Sequence, residues 1–133
     1  MLSEQEQKIL FQLARSAING NSEINPENIS ENFSVKAASF ITLHKEGQII
    51  SSVGSLIATK ELFQDILDHA MQLSSEITND TIMEISILKN FRKIEFDTQE
   101  DLFSQIEPFK HGIAIQKNKR IATLLPSTWN LIN

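Results

Sequence analysis

The stretch FITLHKEGQIISSV (residues 40–53) is the strongest constraint on what this chain can form. FITLH and QIISSV are rich in β-branched and aromatic residues and flank Lys45-Glu46-Gly47. That pattern predicts a β-hairpin over about residues 40–54, with Gly47 in the left-handed turn position. The returning strand then runs into IISSVGSL (49–56), an uncharged segment holding three serines and a glycine. Neighbouring residues of a strand point to opposite faces, so Ser51 and Ser52 part company, one inward and one outward. Gly54 at the strand end marks a bulge or a close backbone approach, serving either packing or ligand contact.

The rest of the chain supplies partners for that hairpin. Ser3 followed by Glu6 is a capping box, and Ile9, Leu10, Leu13, Ala14, Ala17 and Ile18 recur at helical spacing before Gly20. A helix over about 4–19 follows. Residues 19–39 are polar, and Pro26 is placed to open a short helical turn behind Asn25. A second amphipathic helix spans about 60–73, capped by Thr59, with Leu62, Phe63, Ile66, Leu67, Ala70 and Leu73 as its buried stripe. IMEISIL (82–88) reads as a strand, and DTQEDLFSQI as a short helix over about 98–106, capped by Thr98. HGIAIQ and RIATLL flank KNK as a second hairpin over about 112–125. The order predicts an α+β fold with a mixed or mainly antiparallel sheet and three helices.

Composition narrows the function classes. With 133 residues and 41% hydrophobic content the chain is expected to form one domain around a real core, 1–133. Its net charge of −5 argues against general nucleic-acid binding, which draws on clustered cations. That role would need Lys117, Lys119 and Arg120 to join other cations on one face, whereas a four-residue cluster in a turn reads as a solvated loop. The absence of cysteine removes disulfides, thiolate metal sites and a cysteine nucleophile. No apolar run approaches the ~18 residues of a membrane span, and MLSEQEQKIL lacks the features of a signal peptide, so a cytoplasmic protein without membrane contact is expected.

Candidate site residues follow from residue type. A serine nucleophile needs a base within reach, and His44 across the hairpin is no obvious partner for Ser51 or Ser52. The expected state of these hydroxyls is a bond to backbone, and no catalytic residue is assigned. Glu61, Asp65 and His69 fall at i, i+4 and i+8, with Asp68 alongside; set opposite the apolar stripe, they are expected on a solvated helix face, with no metal and no cofactor. His111 before Gly112 is expected as a buried imidazole satisfied by a carbonyl, with ligand contact as the alternative. Trp129 either packs onto its own lobe or contributes to a partner surface.

Several pieces, LARSAI, FITLHKEGQI with VGSL, ELFQDILDHA, EISIL, KHGIAI and LLPSTW, stand in the order found in a known family. Over roughly residues 9–129 the chain resembles the AMMECR domain, the A component of AmmeMemoRadiSam systems. The resemblance implies a two-lobed α+β domain whose characteristic residues lie near a cleft, and the candidate cleft residues of this chain are His44, Ser51, Ser52, Gly54 and His111. It also implies association with a Memo-like protein and a radical-SAM protein. It implies no reaction. The chain departs from the family where an Arg-Gly-Cys-Ile-Gly signature is replaced by Ile50, Ser51, Ser52, Val53 and Gly54. The family's Ala-Phe-x-Asp-Pro-Arg-Phe block is absent, and so is its last C-terminal segment. A retained scaffold with a stripped polar signature points to a non-catalytic accessory or binding protein; the alternative is an enzyme using the cleft near Ser51–Gly54 and His111.

Overall fold

The computed structural model describes residues 2–20, 30–73, 77–89 and 92–131. The expected turn at Asn25–Pro26 lies outside these residues. The elements are α1 (Glu4–Ile18), β1 (Ala38–Lys45), β2 (Gln48–Gly54), α2 (Leu62–Gln72), β3 (Ile82–Leu88), α3 (Gln99–Ser104), β4 (Ile113–Lys117) and β5 (Arg120–Leu124). Short 3-10 turns precede β1 (Glu31–Phe33) and follow β5 (Pro126–Leu131). The chain divides into two compact units, Met1–Phe91 and Arg92–Asn133. The α+β fold with antiparallel hairpins is as the sequence predicts.

In the first unit the sheet order is β2-β1-β3, antiparallel throughout. Its first hairpin closes on Glu46 (φ 53°) and Gly47 (φ 76°). Positive φ at both central residues gives the twist that two-residue hairpins require, and glycine carries it at no steric cost. Alternation along β1 then decides what is buried. Ser39, Ile41 and Leu43 face the helices, and Ile41 and Leu43 join Leu10, Ala14, Leu62, Ile66, Ala70 and Met83 in one core. Phe33, delivered by the 3-10 turn, is fully buried in the same cluster.

α1 starts where its capping box predicts. The Glu6 amide donates to Ser3 Oγ (3.2 Å) and the Ser3 amide donates to Glu6 Oε2 (2.8 Å). Glu6 Oε1 also accepts from Ser30 Oγ at 2.5 Å and from Asn32 Nδ2 at 2.8 Å. One carboxylate therefore caps α1 and anchors the turn that places Phe33. α2 begins two residues later than Thr59 implies, with Glu61 in the cap position and no side-chain cap. The reason is tertiary: the Leu62 amide donates to Val35 O (2.9 Å) and the Ala37 amide to Lys60 O (3.2 Å). Segment 59–61 is thus held extended beside 35–37, and Val35 supplies the acceptor a cap would offer.

The second unit holds α3, whose cap is Thr98 as predicted, with the Asp101 amide donating to Thr98 Oγ1 (3.1 Å). Among the described residues its sheet is the two-stranded β4–β5 hairpin. Trp129 Nε1 donates to His111 O at 2.8 Å, and its ring lies 6.4 Å from that of Phe109.

Hydrogen bonds from Ser30, Ser3 and Asn32 hold the Glu6 carboxyl at about 2, well below its ordinary 4.5. A depressed carboxyl pKa contributes stability that is present above the unfolded value and lost as pH falls through the folded one. Thermal melts should therefore show wild type above Glu6→Gln above pH 4.5, with the gap shrinking steadily towards pH 2. A gap independent of pH in that window would assign the effect to shape rather than charge.

Candidate functional site

The even-numbered residues of β1, Phe40, Thr42 and His44, point away from the helices. Register sets their neighbours: Phe40 pairs with Gly54 and Ser86, Thr42 with Ser52 and Glu84, His44 with Ile49 and Ile82. One sheet face therefore gathers three hydroxyls, an imidazole and a carboxylate around an aromatic ring. Thr42 is 2% exposed, and its Oγ1 lies 3.0 Å from Ser52 Oγ. Ser86 Oγ donates to Glu84 Oε1 (3.3 Å), and Glu84 Oε2 lies 3.4 Å from His44 Nε2. That last approach is an ion-pair distance without hydrogen-bond alignment, since His44 Nε2 is buried and makes no hydrogen bond. The contact is a proximity, not a locked bond.

Sequence reasoning places His44, Ser52 and Gly54 among the candidates, and the fold brings these three to one face. Ser51 pairs with Leu43 and shares the helix-facing side, half-buried. The hydroxyl of Ser52 reaches the Thr42 side chain rather than the backbone expected for it, because the cross-strand position directly opposite holds another hydroxyl. Thr42, Glu84 and Ser86 share this face without being among the sequence candidates. Their signal was available: polar residues two apart inside an otherwise apolar β-run mark the side of a strand that does not face the core.

Gly54 is a packing residue. A Cβ there would meet Phe40 Cγ at 2.3 Å and Ser39 O at 2.6 Å, so only glycine lets the ring of Phe40 lie across the end of β2. The chain can then turn Ser55 inward. The Ser55 amide donates to Ser39 O at 3.1 Å, and its Oγ lies 3.4 Å from both Asp65 Oδ1 and His69 Nε2. Asp65 Oδ2 accepts from Ser39 Oγ (2.6 Å) and lies 3.2 Å from His69 Nε2.

This corrects the expectation of a solvated face on α2. Asp65 is 3% and His69 8% exposed. Eight residues of helix rotate through about 80° beyond two full turns, so the i, i+4, i+8 row drifts round the helix. Asp65 and His69 reach the arc that β1 and the end of β2 cover, while Glu61 stays exposed. Serine, histidine and aspartate meet here, but not as a triad. Ser55 and Asp65 converge on the same nitrogen, Nε2, whereas a relay uses both; Nδ1 is buried without a hydrogen-bond partner. The arrangement is a tie between β1, β2 and α2. Among the described residues no group of three or more His, Asp or Glu side chains is placed to hold a metal.

In the second unit His111 is half-buried, and its Nδ1 accepts from the Glu107 amide at 3.0 Å. A donor, not the expected carbonyl, satisfies it, because the turn at 107–111 points an amide back at the ring. Trp129 is likewise half-buried and bonded within its own unit.

The model of the AMMECR1 family matches residues 8–131. The chain belongs to the AMMECR1 family. Its structure is similar to the crystal structure of an uncharacterized protein, PH0010, from Pyrococcus horikoshii, with a TM-score of 0.79 at 19% identity, covering 95% of this chain and 71% of that one. At that identity the likeness concerns the fold. Among curated proteins no sequence matches. Among the described residues no helix is long and apolar enough to cross a membrane.

Two substitutions test the packing account. Gly54→Ala forces Phe40 or β1 to shift and should cost about 1–3 kcal/mol in denaturant unfolding. Asp65→Ala strips the shared acceptor from Ser39, Ser55 and His69 and should cost about 3–5 kcal/mol, far more than Ser52→Ala at about 1 kcal/mol.

Proposed function

We propose that this AMMECR1-family chain is a non-catalytic accessory protein that acts by binding, in association with a Memo-like protein and a radical-SAM protein in the cytoplasm. One observation carries the reading. In the segment standing where the family has its Arg-Gly-Cys-Ile-Gly signature, Ser52 is engaged with Thr42, and Gly54 lies beneath Phe40. A hydroxyl held by another hydroxyl has no base to raise its nucleophilicity. His44, Ser51, Ser52, Gly54 and His111 remain the proposed ligand-side residues, with Trp129 at a proposed partner surface.

The His44–Glu84 approach favours a second reading. A half-buried imidazole beside a carboxylate is the arrangement general acid–base chemistry uses, and an enzyme would work from this sheet face. The two readings separate cleanly. Co-purification of the intact chain with its Memo-like and radical-SAM counterparts should succeed and survive Ser52→Ala. If neither partner is retained at micromolar concentration, the association is wrong. Turnover of any metabolite that His44→Asn or Glu84→Gln abolishes, with melting temperature unchanged, would establish the enzyme instead.

A further inference from the structure

Among the described residues β3 is an edge strand, and its seven residues pair with β1 without interruption. The opposite edge is different, for a bulge between Leu43 and His44 breaks the β1–β2 register there. Bulges, prolines and charges are how proteins blunt sheet edges against strand addition. IMEISIL has no proline and a single charge, and Ile82 is 68% exposed. Left alone, such an edge invites pairing.

Beneath the same strand runs a groove of about 580 Å³. Leu10 and Leu62 are buried in its floor, and the half-buried Ile85 and Ile87 form its β3 wall. Lys36 and Lys89 complete the lining, which includes no carboxylate. Pairing of Ala38 with Leu88 brings the start of β1 opposite the end of β3, so both lysines lie at one end of the sheet. Neither is in an ion pair among the described residues. Glu6, next to the lining residue Gln7, has its carboxylate occupied by Ser3, Ser30 and Asn32. In a chain of 17 acids and 12 bases, the charged side chains lining this mainly apolar groove are both cations.

We propose that this edge and groove form a strand-addition site for an extended segment of a partner protein, with alternate apolar side chains and an acidic residue at the end that passes Leu88. Added to β3, such a segment would satisfy the outer backbone groups of the strand. Every second side chain would fall on the face of Ile85 and Ile87, into the groove, and its carboxylate would meet Lys36 and Lys89. The inference rests on reading the chain as a binding protein and names the surface and the chemistry it recognises.

The test uses the full 133-residue chain on an array of ten-residue peptides with Ile, Val or Leu at alternate positions and Asp, Glu, Lys, Ser or Gln between them. Bound members should carry Asp or Glu at one end, and their affinity should fall with salt. The Lys36→Glu/Lys89→Glu chain, checked for folding by circular dichroism, should lose at least tenfold. N-methylation of alternate peptide amides should lose as much, and binding should slow hydrogen exchange in β3. A silent array, equal binding of lysine-ended peptides, or indifference to N-methylation overturns the proposal. So does self-association of the chain with protected β3 amides that peptides do not relieve, which would assign the edge to a second copy. Peptide binding without Memo-like or radical-SAM co-purification would retain the site and remove that partnership, whereas co-purification unaffected by the double lysine change would do the reverse.

Discussion

Ser39, fully buried at the beginning of β1, is where the larger unit is joined. Its hydroxyl donates to Asp65 on α2, and its carbonyl accepts from the Ser55 amide just past β2. A buried carboxylate is tolerable only when its oxygens are engaged, and Ser39, Ser55 and His69 together supply that. The hydrophobic core could accept several helix positions against the sheet, since apolar contact is non-directional. The hydroxyl–carboxylate–imidazole group accepts one. It sets how α2 lies against the sheet and where the end of β2 stops.

Much of this was legible in the residues. IMEISIL gave β3 to the residue, the capping box of Ser3 and Glu6 gave the start of α1, and Thr98 gave the cap of α3. Each is a local signal, carried by period or by a hydrogen bond spanning a few positions. The start of α2 was misread because its first amide is satisfied from Val35, a partner no local pattern reveals. Asp65 and His69 were misread for the same kind of reason. Their burial depends on how wide an arc of helix a neighbouring sheet covers, which is a tertiary quantity. The apolar stripe marks where burial is certain, not where it ends.

The site shows the same division. Ser51 and Ser52 parting to opposite faces follows from strand geometry, and His44 sharing a face with Ser52 follows from register. That Gly54 makes room for the ring of Phe40 required the cross-strand neighbour to be known. Family membership and the fold agree, and within that fold Ser52 and Gly54 are engaged with Thr42 and Phe40 of β1. What the outer face offers to another molecule is a shallow arrangement of hydroxyls with one imidazole–carboxylate proximity.

The bond from Trp129 to the His111 carbonyl has a practical consequence. The chain has one tryptophan and no tyrosine, so its intrinsic emission comes almost wholly from one indole fastened inside the Arg92–Asn133 unit. Far-ultraviolet ellipticity, by contrast, is dominated by α1 and α2 in the other unit. The molecule thus carries its own pair of separate optical gauges, and comparing their melting curves reveals whether the two units come apart together or in turn.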